Sequence, residues 1–557
     1  MEKWYWLNDY SIKFLERGYL LPGQTAQERI MQIGQAAEEI LKEPGFADRF
    51  YDYMSRGWIS LSTPVWSNFG LKRGLPISCF GSFVPDNMQG ILGTVAEIGM
   101  MTKYGGGCSA YFGDLRPRGS EIKNNGNSSG SVHFMQMFES LVDTVSQGST
   151  RRGHVSPYLP IEHSDAKEFL EIGTEGNLIQ KLTHGITVTD KWMEEMIGGD
   201  AEKRDLWAKV LQRRSQMGYP YILFVDTANK NKPDCYKDKQ ILASNMCSEI
   251  MLPSNKDWSF VCCLSSLNLR HYDEWKTTDL VETMTKFLDA VMEEFITKLE
   301  QLRDSNNEED RGAFLFMSRA HKFAKDNRAL GLGVLGYHSY LQSKMIAFDS
   351  SEAKLINAEM FAHIRHEAEE TSKQLAEKFG EPEVLTGYGK RNATLLAIAP
   401  TTSSAFILGQ VSQGIEPVWS NCYIKDVAKL KVTIKNPFLV ELLSAKGKDT
   451  KEVWDSIRDN DGSVQHLDFL TDNEKAVFRT FAEIDQAAVI DQAANRQVFI
   501  DQGQSLNIMI HPDVPIKDVN ALHIRAWKSG VKSLYYQHSV NAAQQLSIKK
   551  SKELLTK

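Results

Sequence analysis

The sequence has no CxxC pair, no internal repeat and no low-complexity tract. It also has no apolar run of the roughly 18 residues that a membrane-spanning helix needs. The first absence speaks against a structural zinc site, which draws its thiolates from closely spaced cysteine pairs. The N-terminus, Met1-Glu2-Lys3-Trp4-Tyr5-Trp6, carries charge at once and lacks the apolar core of a secretory leader. An excess of positive charge is missing as well. The formal net charge is −7, so no nucleic-acid polymer is expected as a partner, although a local basic pocket for small phosphates remains open. The seven cysteines are odd in number and scattered, at 79, 108, 235, 247, 262, 263 and 422. That is no disulfide framework, and it fits a reducing, cytoplasmic setting in which thiols persist unless they cycle.

What is present is enough chain, 557 residues, for one large α/β domain or two to four smaller ones. Residues 1–60 read as a helical region, with apolar spacing in Ile30–Ala36 and again in Phe46–Met54. Residues 61–160 are richer in Gly, Ser, Asn and Pro and are expected to hold several functional loops. Helical periodicity returns over 164–172, 279–303 and 351–380. Between helices lie short β-rich runs, Tyr221–Val225 and Thr394–Ala399. Strands alternating with helices predict an α/β architecture with parallel strands. The end of the chain, 546–557, reads as a basic tail.

Two patterns invite a wrong turn. Gly331-Leu332-Gly333-Val334-Leu335-Gly336 matches GxGxxG, but a dinucleotide site needs a strand before it, and the upstream residues read as helix. Close backbone packing explains these glycines better. His363 and His366 share a helix face with Arg365, Glu369 and Glu370, a solvated charged surface without HExxH, so no metal site is expected.

The segment Ser244-Asn245-Met246-Cys247-Ser248-Glu249-Ile250 carries more chemistry. Asn245, Cys247 and Glu249 alternate, so an extended loop points an amide, a thiol and a carboxyl the same way. A thiol donates and accepts hydrogen atoms, a carboxylate takes a hydroxyl proton, and an amide holds another hydroxyl. The set suits radical chemistry on a vicinal diol. A cysteine protease or a buried thiol shares the same residue types.

SNMCSEI resembles the catalytic loop of ribonucleotide reductase large subunits. The resemblance implies that Cys247 becomes a thiyl radical that removes the 3′-hydrogen, with Glu249 as base on the 3′-hydroxyl and Asn245 orienting the ribose. Four further segments agree. Leu75–Cys79 resembles the strand carrying one redox cysteine, Cys79. Phe260–Asn268 resembles the segment carrying its partner, and the C-x-L-S-x-x-N pattern picks Cys262, with Cys263 as an extra thiol. The pair is implied to reduce the 2′-position and to become a disulfide. Pro400–Ser404 resembles the loop that binds the substrate diphosphate through Thr401, Thr402, Ser403 and Ser404. The family often has an acid at the position of Thr402. Thr63 and Ser78 match further substrate contacts. Gly530–Gln537 contains Tyr535-Tyr536, which resembles the radical-relaying tyrosine pair of class I enzymes. That pair speaks against the adenosylcobalamin-dependent class, and the joint presence of all these residues speaks against a catalytically silent nucleotide-binding regulator.

The resemblance further implies a ten-stranded α/β barrel of two parallel five-stranded halves, spanning 61–545, with the Cys247 loop as a central finger. By the same resemblance the substrate is expected to be a ribonucleoside diphosphate, and no cofactor is expected to be bound by this chain. The radical is expected from a metal-containing small (beta) subunit, and a thiol reductant such as thioredoxin or glutaredoxin is expected to restore the dithiol. The chain is expected to form a homodimer with dNTP or ATP effectors, through Asp86, Arg116 and Arg151. An N-terminal ATP cone has no room before the core sequence at Ser11–Leu21, and the tail lacks the cysteine pair that relatives use for re-reduction.

Overall fold

The computed structural model describes residues 2–147, 151–409, 411–427 and 430–539. The basic tail at 546–557 lies outside them. Helices begin where the sequence can cap them. Thr25 and Glu28 form a reciprocal capping box that starts Ala26–Leu41, and Ile30, Ile33, Ala37 and Leu41 recur on its buried face. Phe46–Ser55 packs against that helix. Arg29 is fully buried and has no carboxylate among its hydrogen-bond partners. Instead its guanidinium donates to the carbonyls of Trp66 (2.8 Å) and Phe69 (2.6 Å). Those acceptors lie at the C-terminal end of the helix Thr63–Asn68, whose last carbonyls have no intrahelical donor. One side chain therefore ties the N-terminal helices to the rest of the molecule.

Five strands pair side by side in parallel and in chain order: Cys79–Phe83, Gly107–Tyr111, Val155–Pro160, Gly185–Val188 and Tyr221–Phe224. Each parallel step needs a crossover. Helices Met88–Lys103, Ser131–Thr144 and Ala201–Met217 supply three of them. A second parallel set starts with Phe260–Asn268 against Leu330–Leu335. It continues through the bridges Leu332–Leu396 and Ile398–Gln504, and ends with Ile508–Met509 against Gln537–His538. Two antiparallel seams join the halves. Cys79–Gly81 pairs with Phe260–Cys262, and Ile222–Leu223 pairs with Ser533–Leu534. The ring closes with ten members, as two five-stranded halves, which is the barrel expected from the resemblance.

Residues 61–160 hold long helices as well as the loops their composition predicts. The helices are Met88–Lys103 and Ser131–Thr144. Gly90, Gly93 and Gly99 weaken the helical signal of the first, since each glycine costs about 1 kcal/mol relative to alanine. The buried face of Ile91, Ile98 and Met101 forms the helix regardless. The GxGxxG glycines lie within and just after the strand Leu330–Leu335. A Cβ on Gly331 would sit 2.4 Å from Leu264 Cδ2 and 3.1 Å from Cys262 Sγ, and one on Gly333 only 2.6 Å from Ala397 O. Close approach between barrel strands is the reason for both. His363 accepts or shares a hydrogen with Tyr272 Oη at 3.2 Å and stacks on Trp275.

A buried ion network anchors the second half. Asp289, on the helix Leu280–Arg303, receives Arg328 Nε and Asn392 Nδ2 on one oxygen and Arg391 Nε on the other, each at 2.9 Å. Arg328 lies two residues before the barrel strand Leu330–Leu335, and Asn392 four residues before Leu396, which bridges to that strand. The two guanidinium groups hold the Asp289 carboxyl below the usual carboxylate range against the effect of burial. Removing one partner strands buried charge. Asp289→Ala is expected to lose about 3–5 kcal/mol of stability, read as a lowered urea midpoint. An unchanged midpoint would show that the network is not an anchor.

Candidate active site

The segment carrying Cys247 crosses the inside of the barrel without regular structure, so its backbone needs partners from the walls. Tyr158 Oη donates to Asn245 O at 2.9 Å, Ser505 Oγ to Cys247 O at 2.5 Å and Ser533 Oγ to Ser248 O at 2.7 Å. Gly503 N donates to Glu249 O at 2.8 Å, and Met251 N to Gln502 Oε1 at 3.0 Å. These donors and acceptors come from both halves of the barrel. Within the loop, Asn245 Oδ1 accepts from the backbone N–H groups of Glu249 (3.0 Å) and Ile250 (3.2 Å). Ser248 stands in the left-handed region at φ +65°, and its N–H bonds to Asn245 O at 3.2 Å. The loop is thus a tight turn and not the extended strip that residue alternation predicts. Asn245, Cys247 and Glu249 come together because the turn folds back on Asn245.

The first antiparallel seam places Cys79 directly opposite Cys262. Facing residues in such a pair have Cα atoms about 4.5 or 5.5 Å apart, inside the range of about 4.4–6.8 Å that a disulfide spans. Asn245 Nδ2 reaches Cys79 Sγ at 3.7 Å, and Gln502 Nε2 reaches Cys262 Sγ at 3.3 Å. Burial pushes the Cys262 thiol well above its ordinary pKa. Successive strand residues face opposite sides. Cys263 accordingly turns away, with its Sγ against Leu288 O at 3.3 Å on the outer helix.

The second seam leads straight into the tyrosines. Tyr535 Oη points at Cys247 Sγ at 3.6 Å. The rings of Tyr535 and Tyr536 lie 4.4 Å apart, and Tyr221 packs on both, at 4.8 and 5.1 Å. Burial raises the pKa of both phenols, so each rests protonated. Glu249 is buried, and burial lifts its pKa from 4.5 to about 7, against hydrogen bonds from Asn245 and Ser505 that favour the anion. Ser505 Oγ also lies 3.1 Å from Glu249 Oε2, so its one hydrogen is shared between that carboxyl and Cys247 O.

Comparison with known proteins decides what this arrangement belongs to. The family model of the ribonucleotide reductase barrel domain matches residues 77–201, 194–384 and 382–537, and that of the all-alpha domain matches 5–74. The Actinobacillus ureae class Id ribonucleotide reductase alpha subunit superposes with TM-score 0.90 at 53% identity, covering 98% of this chain and 99% of that one. The ribonucleoside-diphosphate reductase large subunit of Invertebrate iridescent virus 3 is 32% identical over 92% of this chain and 90% of its own. The corresponding subunit of Danio rerio is 27% identical over 98% and 77%. The chain belongs to the ribonucleotide reductase large-subunit family. Its reaction is ribonucleotide reduction.

The remaining residues expected from the reductase resemblance fall into two groups. Thr63 Oγ1 lies 3.1 Å from Tyr19 Oη, and Tyr19 packs on Phe14, which packs on Phe406 of the helix Thr402–Ile407. One N-terminal segment therefore links Thr63 to the Thr401–Ser404 loop. Thr401 stands at φ +52° with its Oγ1 accepting from Gly414 N at 2.7 Å, and Thr402 Oγ1 donates to Gln413 Oε1 at 3.3 Å. Ser403 and Ser404 are half-buried in the first turn. Ser78 Oγ is 3.9 Å from Cys79 Sγ. In the second group, Asp86 and Arg116 are joined by an ion pair at 2.9 Å. The Arg151 side chain and residues 148–150 lie outside the described residues.

Sequence reasoning missed Tyr158, Tyr221, Gln502 and Ser505. Tyr221 sat in a run read only as strand, and Gln502 and Ser505 belong to no motif, so only the fold brings them in. Among the described residues no group of three or more His, Cys, Asp or Glu side chains is arranged to hold a metal, and no helix is long and apolar enough to cross a membrane.

The Glu249 environment sets a pH test. Its folded pKa lies above the unfolded one, so the folded state holds the extra proton between about pH 4.5 and 7 and loses stability as pH rises through that window. A role as base runs the other way, since it needs the anion and turns on as pH climbs past 7. Ser505→Ala removes a hydrogen bond to the anion and should move the rising limb of kcat/KM against pH upward. A limb that stays in place would disconnect Glu249 from catalysis.

Proposed function

We propose that this chain reduces ribonucleoside diphosphates to their 2′-deoxy forms by thiyl-radical chemistry at Cys247. The observation that carries this is a single loop touching two devices. Cys247 Sγ meets the phenol of Tyr535, while Asn245, two residues earlier, meets Cys79 of the dithiol. An oxidising equivalent arriving along Tyr536 and Tyr535 leaves Cys247 as a thiyl by taking its sulfur-bound hydrogen. The thiyl takes the 3′-hydrogen of the ribose. Glu249 takes the 3′-hydroxyl proton, which its burial makes a matched exchange near neutral pH. Asn245 holds a ribose hydroxyl. The 2′-hydroxyl leaves as water, and Cys79 and Cys262 supply the two electrons and two protons as they join in a disulfide. Glu249 then returns its proton to the 3′-oxygen and Cys247 its hydrogen to C3′, and the thiyl so regenerated is quenched by a hydrogen returned through Tyr535. The closed barrel keeps water from the radical.

Thr63, Ser78 and the Thr401–Ser404 loop are the proposed substrate contacts, the last as an anion cradle of hydroxyls and backbone N–H groups. The radical comes from a separate metal-containing beta subunit, and the disulfide is re-reduced by a thioredoxin- or glutaredoxin-type thiol donor. Asp86, Arg116 and Arg151 are the proposed effector contacts for dNTP or ATP, in a homodimer. Exposed Met88 and Leu92, on the helix just after Asp86, support an interface there. The Asp86–Arg116 pair would open to an effector, Asp86 toward ribose and Arg116 toward phosphate.

Two experiments test this reading. In a single turnover without external reductant, wild type should form one disulfide and one deoxynucleotide per active chain. Cys79→Ser and Cys262→Ser should form neither, and Cys263→Ser should behave as wild type. Loss of the disulfide in Cys263→Ser instead would reassign the pair. For regulation, Arg116→Ala should erase the dependence of substrate preference on the added nucleotide, a coupling of about 1–3 kcal/mol in typical cases. Retained preference would remove Arg116 from the effector site.

A further inference from the structure

The tyrosine pair also has an outer side. The His538 ring lies 5.7 Å from that of Tyr536, and the Trp419 indole lies 4.4 Å from that of His538 in an edge-on contact. Trp419 is 40% exposed. Ring contacts thus run from the surface at Trp419 through His538 to Tyr536 and Tyr535, and end at the Cys247 thiol.

A lone exposed aromatic needs no explanation, but Trp419 is held as few surface residues are. The residue before it is clamped on both sides: Val418 N donates to His338 Nδ1 and Val418 O accepts from Phe481 N, both at 2.8 Å. Beneath it lies the buried carboxyl of Glu416, which accepts from Asn507 Nδ2 at 3.0 Å. Asn507 Oδ1 in turn accepts from Tyr536 N at 3.2 Å. The same carboxyl engages the Trp419 side chain. One buried polar network therefore sets the indole relative to the relay tyrosine. Pro417, Val418, Tyr423 and Ile434 join Trp419 around a cleft of about 480 Å³.

We propose that Trp419 is the outermost redox station of the relay, receiving the oxidising equivalent from the partner subunit and passing it to Tyr536. The inference rests on the tyrosine-relay reading above. A phenoxyl-class radical of the partner takes one electron from the indole and one proton from solvent, and becomes a phenol. The indole is left as a radical cation. Tyr536 returns one electron to it and releases its phenolic proton to a base, and we assign that base to the His538 imidazole, its ring centroid 5.7 Å away. Trp419 ends unchanged, and the radical has moved from the partner to Tyr536. Burial lowers the His538 pKa to about 4, so the ring is neutral and able to accept. An oxidised phenol is a far stronger acid than imidazolium, so the transfer still runs downhill.

The test uses the complete enzyme, this chain with its radical-generating partner, and follows nucleotide reduction while the partner is titrated. Trp419→Phe keeps the packing on His538 but cannot be oxidised at accessible potentials. It should cut turnover at saturating partner by about tenfold or more, while the half-saturating partner concentration changes by less than about threefold. Trp419→Tyr should recover much of the loss, and Tyr536→Phe should be inactive. A Trp419→Phe enzyme with full turnover beside an inactive Tyr536→Phe enzyme would overturn the inference and leave the relay standing. A change confined to the half-saturating partner concentration would make Trp419 a docking contact and would equally overturn it. An active Tyr536→Phe enzyme would bring down the relay reading itself. Replacing Trp419 by a fluorinated tryptophan guards against damaged packing. The shape is nearly kept and oxidation is harder, so turnover should fall, and unchanged turnover would contradict the proposal.

Discussion

The chemistry of this molecule depends on five hydrogen bonds that suspend residues 245–251 across the barrel, from Tyr158, Ser505, Ser533, Gly503 and Gln502. An irregular segment in a dry interior is costly unless its polar backbone is satisfied. Here the satisfaction is supplied by the walls, so the loop is only as well placed as the barrel is closed. The Asp289 network and the Arg29 anchor help hold those walls together.

The barrel divides the work between its two antiparallel seams. One brings Cys79 and Cys262 into register, and the other runs directly into Tyr535 and Tyr536. Antiparallel pairing sets residues squarely opposite one another, which is what a cross-strand disulfide demands, whereas the parallel pairs elsewhere serve to enclose the space. The loop then bridges the seams, with Cys247 toward the phenol and Asn245 toward the thiol. Burial does two further jobs. It keeps the phenols and Cys262 protonated, and it raises the Glu249 carboxyl to about 7.

Much of this was legible in the chain because its chemistry is carried by rare residues in short motifs. Cys247 with its neighbours, Cys79, Cys262 and the adjacent tyrosines each sit in a recognisable segment, and the alternation of helix and strand announced an α/β fold. Three things escaped for physical reasons. Ser248 adopts a left-handed conformation that alternation does not reveal, so an extended loop was read where a turn exists. The glycines of Met88–Lys103 lower helix propensity and hid a helix stabilised by its packing. Gln502, Ser505 and Tyr221 act through tertiary position alone. Conversely, the GxGxxG glycines looked like a nucleotide motif locally, and only the neighbouring strands disclose the steric reason for them.

The central claim is that Cys247 performs the first chemical step and depends on a partner chain for its radical. The most direct measurement is reduction of CDP by wild type and by Cys247→Ser, each with and without the radical-generating subunit, in the presence of effector and dithiothreitol. The account predicts deoxynucleotide only from wild type with the partner present, and none from a Cys247→Ser chain that folds and binds the partner as wild type does. Product from Cys247→Ser, or from wild type alone, would contradict it.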